Sequence, residues 1–283
     1  MRLLSIQSHV AYGHVGNAAA VFPLQRLGID VWPVHTVQFS NHPGYGHWRG
    51  RVLDAATVRD LVQGIEERGV LATCDGVLSG YMGSAEIGDA ILDSVARVKR
   101  ANPAAQYCCD PVIGDSDRGV YVDAAVPPLM IDRAIPAADV VTPNQFELEC
   151  LAGRTTATLP DLLAAVDAVH ARGPRVVLVT SVHTQETPAG AIDNVVSDGG
   201  GRFRVRTPKL PLQVNGAGDA IAALFFAHLL GRRPAAEALA LAVSSMFGVL
   251  RHTLAAGSRE IMLVAAQQEI VAPSQVFTAE AIR

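Results

Sequence analysis

Short apolar runs bounded by turn residues alternate along this chain with longer amphipathic stretches, and that rhythm restricts the fold more than any other feature. The runs Leu3–Gln7, Val31–Val37, Gly76–Ser79 and Gln106–Cys109 have strand length; Gly16–Leu27, Val58–Arg68 and Ala85–Arg100 between them have helical length. Strands that succeed one another through helices form a parallel sheet covered on its faces. The pattern resumes with a strand at Asp139–Val141, a helix from about Asn144, a helix at Pro160–Ala171 and a strand at Arg175–Thr180. That last helix is marked at both ends: Pro160 stands in its first turn, Leu163, Val166 and Val169 share one face, and Gly173-Pro174 closes it. Ala191–Val196 and Arg202–Val205 flank Asp198-Gly199-Gly200-Gly201, a hairpin signal that predicts an antiparallel edge. Three helical segments follow, Gly218–Leu230, Ala235–Leu250 and about Glu260–Val271.

The expected architecture is a mostly parallel central β-sheet flanked by helices on both faces, a three-layer α/β/α fold. With 283 residues, 49% of them hydrophobic, the chain can bury a sizeable core, and no linker, repeat or low-complexity tract divides it, so one domain over 1–283 is expected. Its 23 basic residues against 27 acidic ones argue against a nucleic-acid surface. Only Lys99 and Lys209 are lysines, and neither stands in a G-x-x-x-x-G-K-[ST] loop or a V-A-I-K strand, which excludes P-loop NTPases and protein kinases. The cysteines Cys74, Cys108, Cys109 and Cys150 have no CxxC spacing and point to a reducing compartment. The chain opens directly on an apolar strand without the layout of a signal peptide, and the apolar run Ala220–Leu230 falls short of a membrane span. A cytoplasmic protein without membrane partners is expected.

Asn215-Gly216-Ala217-Gly218-Asp219 precedes the most apolar helix. Two glycines let backbone N–H groups converge, and the helix start adds unsatisfied donors and a positive dipole end, which together stabilise an anion. Asp219 at that entrance suits a base that takes the proton of an attacking hydroxyl while a phosphoryl group lies over the amides. Equally, it would complement the helix dipole with no chemistry. Asp110, after the strand ending at Cys109, and Asp115 beyond Val112-Ile113-Gly114 are carboxylates at a strand's carboxyl end, where open α/β sheets bind ligands and a Mg²⁺-nucleotide needs acidic groups. An Asp-Pro loop opener accounts for them as well. In Thr142-Pro143-Asn144-Gln145-Phe146-Glu147 the spacing fits a helix cap, and a second reading has Asn144 and Glu147 also orienting metal-bound water.

After the first strand, Gly13-His14-Val15-Gly16 has G-x-x-G spacing, not the G-x-G-x-x-G of a dinucleotide fold. Ser8 offers a hydroxyl to a small polar ligand there, while His9 and His14 lack partners at metal-ligand spacing. The aromatic and histidine-rich loop Ser40–Trp48, with His42, Pro43 and Gly44 at its centre, and Tyr81 in Ser79-Gly80-Tyr81-Met82-Gly83 suit a flat heteroaromatic substrate or a subunit interface.

Taken in order, IQSHVAYGHVGN, TVQFSNHPGYGHW, LSGYMGSAE, CDPVIGD, VTPNQFELE and NGAGD make the chain resemble the ribokinase-like superfamily, and within it the pyridoxal kinase family, from Leu3 to about Val271. The resemblance implies transfer of the ATP γ-phosphoryl group to the 5′-hydroxymethyl of pyridoxal, with Mg²⁺ and a monovalent cation such as K⁺. It implies Asp219 as the base, with Gly216, Ala217 and Gly218 as the anion hole. Ser8 then bonds the pyridine ring, Val15 and Tyr81 pack on it, and His42, Pro43 and Gly44 form the substrate loop. Asp110, Thr142, Asn144, Glu147 and Thr180 match nucleotide positions, Asp110, Asp115 and Glu147 metal positions, and Thr207, Pro208, Lys209 and Leu210 the cover of the adenosine. A homodimer is implied too. The chain departs from the family where His-Thr is replaced by His42-Pro43, which removes a hydroxyl and a backbone donor, and where Val120 stands in place of a lid cysteine found in some relatives. Two alternatives remain: a hydroxymethylpyrimidine kinase of the same superfamily, and a non-catalytic vitamin B6 binder.

Overall fold

The computed structural model describes residues 1–282. Its strands are β1 (Arg2–Val10), β2 (Asp30–Phe39), β3 (Gly50–Val52), β4 (Gly76–Ser79), β5 (Gln106–Cys109), β6 (Gly114–Asp115), β7 (Gly119–Val120), β8 (Val140–Val141), β9 (Val176–Val182), β10 (Ala191–Asp198), β11 (Gly201–Pro208) and β12 (Glu280–Ala281). All but β6 and β7 join one ten-stranded sheet in the order β12-β11-β10-β9-β8-β5-β4-β1-β2-β3. The six strands from β9 to β2 run parallel. The predicted hairpin β10–β11 and the short β12 extend one edge antiparallel, and β3 caps the other. β1 is buried on both faces through Leu3, Leu4, Ser5 and Ile6, as a central parallel strand must be.

The helices are α1 (Asn17–Arg26), α2 (Ala55–Glu67), α3 (Ala85–Ala101), α4 (Val126–Leu129), α5 (Ile135–Ala137), α6 (Gln145–Ala152), α7 (Leu159–His170), α8 (Ala217–Leu230), α9 (Ala235–Ala255) and α10 (Gln267–Val271). A wider π turn at Met130–Ala134 joins α4 to α5. Helices α2, α3 and α7 cover one face of the sheet, where Ile87, Ile91, Val95 and Val166 pack on Leu4, Ile6 and Val77. On the other face α1, α8 and α9 pack on Leu3, Leu78 and Leu178. Ser84 caps α3, and Ile87, Ala90, Ile91, Val95 and Val98 make its buried stripe. Thr158 and Asp161 cap α7 reciprocally, with Pro160 in the first turn as the sequence predicts.

Every residue of α8 from Ala220 to Ala227 is buried, because the helix lies between the sheet, α1 and α9. An apolar helix enclosed in this way holds its first turn rigidly, and that turn carries Asp219. α9 has the length and apolarity of a membrane-crossing helix, yet most of it is buried against α8, α10 and the β10–β11 hairpin.

One expectation is corrected. The helix expected over about Glu260–Val271 forms only at Gln267–Val271. Glu260 instead pairs its backbone with Asn215 across the fold, and Ser258 Oγ donates to the Glu260 carbonyl at 2.7 Å, so tertiary contacts override the local helical pattern. β1 also runs past Gln7 to Val10, and its register against β2 slips at Ser8, a bulge of the kind that re-aims side chains at a strand end.

Candidate active site

The chain passes from β1 outward to β2 and then crosses to β4 on the other side of β1, so the direction of winding reverses between β1 and β4. A crevice opens at such a switch, beyond the strands' carboxyl ends. Ser8 near the end of β1, Tyr81 after β4, Asp110 after β5, Thr142 after β8 and Thr180 in β9 all stand on that rim.

Gly16 closes the turn after β1 against the strand itself: a β-carbon on it would lie 2.2 Å from the Ser8 carbonyl oxygen and 2.5 Å from Ser8 Oγ. Beside it Val15 packs with Val10, Val37 and Phe39, and Tyr81 joins the same small cluster. Thr36 fixes Tyr81 by donating to its carbonyl at 2.8 Å. Val15, Tyr81 and half-buried Ser8 therefore form an apolar wall with one hydroxyl, a surface suited to an aromatic heterocycle. The loop from Ser40 to Trp48 closes the outer side. His42 accepts from the Gly44 N–H at 3.1 Å through Nδ1, and Pro43 opens the short turn Pro43–Tyr45. Burial, and then the Arg118 charge, lowers the His42 pKa against the pull of Glu260, and so favours the neutral ring.

The acidic motif residues converge from three elements. Asp110 is buried and accepts the Thr142 hydroxyl at 2.9 Å. Glu147 Oε1 accepts from the Ile113 N–H at 3.0 Å and its Oε2 from the Asn144 N–H at 2.9 Å, while Asn144 Oδ1 accepts from the Glu147 N–H at 2.9 Å. The capping box expected from the sequence is present, and Asn144 Nδ2 extends it to the Gly114 carbonyl at 2.9 Å. Burial, then the charges of Glu147 and Asp219, pushes the Asp110 pKa well above the usual carboxylate range. Burial pushes Glu147 up to about 7, against the pull of its backbone donors. Asp219, partly open to the cleft, is raised by the same desolvation, and the Gly16 N–H favours its ionised form. No arginine or lysine pairs with any of the three among the described residues. Enclosed acidic groups that feel one another's charge, without a cationic side chain, fit a divalent cation.

Asp115 stands apart from them. Its Oδ1 accepts from the Arg118 N–H at 2.8 Å and its Oδ2 from Arg118 Nε at 2.8 Å, so it fastens the β6–β7 hairpin. At the start of α8, Gly216 adopts φ +84° and no side chain caps the helix, so its first N–H groups lack a capping acceptor. Gly218 is exposed, and a β-carbon on it would meet nothing within 4 Å. The free space and the helix dipole make a seat for an anion beside Asp219. Thr207 is buried at the end of β11, Pro208 and Lys209 are exposed, and Lys209 donates its N–H to the Gly190 carbonyl at 2.7 Å. Next to Leu210 a cavity of about 400 Å³ opens between Arg251, His252, Leu254 and Glu269.

One residue of this region escapes sequence reasoning. Glu260 reaches the Gly13–Gly16 turn and the Ser40–Trp48 loop at once, and no local pattern marks it, because both partners lie at the opposite end of the chain.

The chain matches the phosphomethylpyrimidine kinase family model over residues 59–263. It is 56% identical to the pyridoxal kinase PdxY of Granulibacter bethesdensis, covering 99% of both chains, and 57% identical to that of Rubrobacter xylanophilus, covering 98% of this chain and 96% of the other. Among solved structures it is similar to the pyridoxal kinase of Leishmania donovani in complex with ADP and pyridoxine, with a TM-score of 0.92 and 29% identity over 100% of this chain and 99% of that one. The fold expected from the sequence is thereby the observed one, and the chain belongs to the pyridoxal kinase family.

Proposed function

We propose that this protein transfers the γ-phosphoryl group of ATP to the 5′-hydroxymethyl oxygen of pyridoxal, giving pyridoxal 5′-phosphate and ADP. The observation that carries this reading is the meeting of an open anion seat at Gly218 with the Asp219 carboxylate and, across the Gly13–Gly16 turn, the apolar wall of Val15 and Tyr81. Ser8 orients the pyridine ring, and the His42–Gly44 loop covers it. Asp219 takes the hydroxyl proton as that oxygen bonds to the γ-phosphorus and the bond to the ADP oxygen breaks. Its raised pKa makes it a better proton acceptor than an exposed aspartate. The N–H groups of Ala217 and Gly218 stabilise the charge on the transferring group.

Asp110 and Glu147 would hold Mg²⁺, directly or through its waters, with Thr142 fixing Asp110. Among the described residues no three acidic, histidine or cysteine side chains gather tightly enough to form a cage, in keeping with an ion that retains water and phosphate ligands. When bound, Mg²⁺ neutralises the phosphate charges. Asn144 and Thr180 line the nucleotide side, and Thr207–Leu210 with the neighbouring cavity takes the adenosine. A monovalent cation such as K⁺, a homodimeric assembly and a cytoplasmic site of action complete the reading.

The match to the phosphomethylpyrimidine kinase model favours a second substrate, hydroxymethylpyrimidine, but it begins at residue 59, after Ser8, Val15 and the His42–Gly44 loop. Ser8, Val15 and the His42–Gly44 loop thus lie outside it, and Tyr81 of the ring wall lies within it. Phosphate transfer from ATP to the two substrates side by side tests the choice: a higher kcat/KM on pyridoxal supports our reading, and preference for the pyrimidine overturns it. Pyridoxal binding without any transfer would point instead to a binding protein.

A further inference from the structure

Glu260 ties together three segments that meet at the crevice. Its Oε1 accepts the Tyr45 hydroxyl at 2.5 Å, and its Oε2 accepts the His14 N–H at 3.0 Å. Its backbone bridges to Asn215, the residue before Gly216. Gly13 leaves room for the carboxylate, since a β-carbon there would fall 2.4 Å from Oε2. The Arg259 guanidinium lies over the Tyr45 ring, 4.8 Å from its centroid, and adds a second hold on that side chain. One residue thus joins three segments: its carboxylate holds the loop over the ring site and the turn beside Ser8, and its backbone holds the turn that leads into Asp219.

We propose that Glu260 is a positioning residue, and Tyr45 its latch, fixing the His42–Gly44 loop over the heteroaromatic substrate in register with the Gly216–Asp219 turn. A loop tied at Tyr45 has less freedom to lose when substrate binds, so the contact lowers the substrate's KM more than it changes the chemical step. Hydrogen bonds to an ionised group are strong ones, and removing the Tyr45 hydroxyl releases the loop without touching the His14 or Asn215 contacts. Losing the Glu260 carboxylate frees the Gly13–Gly16 turn as well as the loop, while the backbone bridge to Asn215 remains; because the His14 carbonyl abuts Gly216, the freed turn disturbs the alignment of Asp219 as well.

This inference rests on the pyridoxal kinase reading, and steady-state kinetics of the full chain with pyridoxal and MgATP separate the two. Wild-type turnover tests the reading itself. Tyr45→Phe is expected to raise the KM for pyridoxal roughly tenfold while kcat and the KM for ATP stay within about twofold. Glu260→Gln, which keeps one acceptor oxygen, should fall between wild type and Glu260→Ala, and the alanine variant should lose kcat as well. An unchanged pyridoxal KM in Tyr45→Phe, or an equal rise in both KM values, overturns the proposal. Thermal unfolding of each variant identifies general loosening; if Glu260→Ala does not fold, Tyr45→Phe carries the test alone. Should the wild type prove inactive, the kinase reading fails, and the pyridoxal Kd of wild type and Tyr45→Phe then decides the latch by the same tenfold criterion.

Discussion

The carbonyl oxygen of His14 lies 1.7 Å from where a β-carbon on Gly216 would stand. The turn after the first strand and the turn before α8 therefore touch backbone to backbone, and Gly216, with φ +84°, cannot carry a side chain without forcing them apart.

Gly216 and Gly218 should respond differently to the same substitution. Gly216→Ala combines left-handed strain with a backbone clash and should cost about 1–3 kcal/mol of stability along with activity. Gly218→Ala meets no atom in the folded chain and should leave stability within about 0.5 kcal/mol of wild type or improve it, since alanine favours the helix. Its methyl group would nevertheless occupy the anion seat, so turnover should fall at least about tenfold. Denaturant titration beside kinetics checks the pair; full activity in Gly218→Ala would remove the anion hole from the mechanism.

Asp219→Asn keeps the shape of the site and removes the base. Turnover should drop by about 10²–10⁴-fold with ATP affinity nearly unchanged. Because burial disfavours the Asp219 charge, the variant should be no less stable than wild type at neutral pH. Retained turnover would assign the base elsewhere.

Stability should depend on pH through the acidic cluster. Glu147, ordinarily near 4.5, is pushed up to about 7, so the folded chain holds its proton more tightly than the unfolded one. Its contribution is fully present below pH 4.5 and is lost as pH rises through about 7; Asp110 and Asp219, also raised, act in the same direction. In chelator, the Tm should fall from about pH 5 to about pH 8, less steeply in Glu147→Gln, and MgADP should reduce the fall by balancing the charges. A wild-type slope equal to that of Glu147→Gln would contradict the assignment.

Pro43 has no N–H and no hydroxyl at an exposed position in the substrate loop. Pro43→Thr supplies both, and should lower the KM for pyridoxal by roughly fivefold with the KM for ATP unchanged. The same KM in both proteins would mean that this position does not face the substrate.

Much of this molecule was legible in its sequence. Strands such as Gly76–Ser79 and Gln106–Cys109 appear with the bounds their apolar runs predicted, because a strand buried on both faces must be apolar throughout. The caps at Thr158 and Asn144 are local, and local hydrogen bonds can be read from spacing. The motif residues were legible as types of chemistry, and their order along the chain carried the family.

Only the folded chain decided where each acidic residue stands. Spacing favours Asp110 over Asp115 and allows Glu147 to be no more than a helix cap, yet Asp110 and Glu147 are both buried where their charges meet that of Asp219, whereas Asp115 turns to Arg118. The neighbours of Glu260 in sequence permit a helix; Tyr45, His14 and Asn215, brought to it by the winding of the sheet, offer hydrogen bonds that a helix there would forgo. Local propensity is set within a few residues, while desolvation and the field of other charges depend on which distant segments the fold brings together.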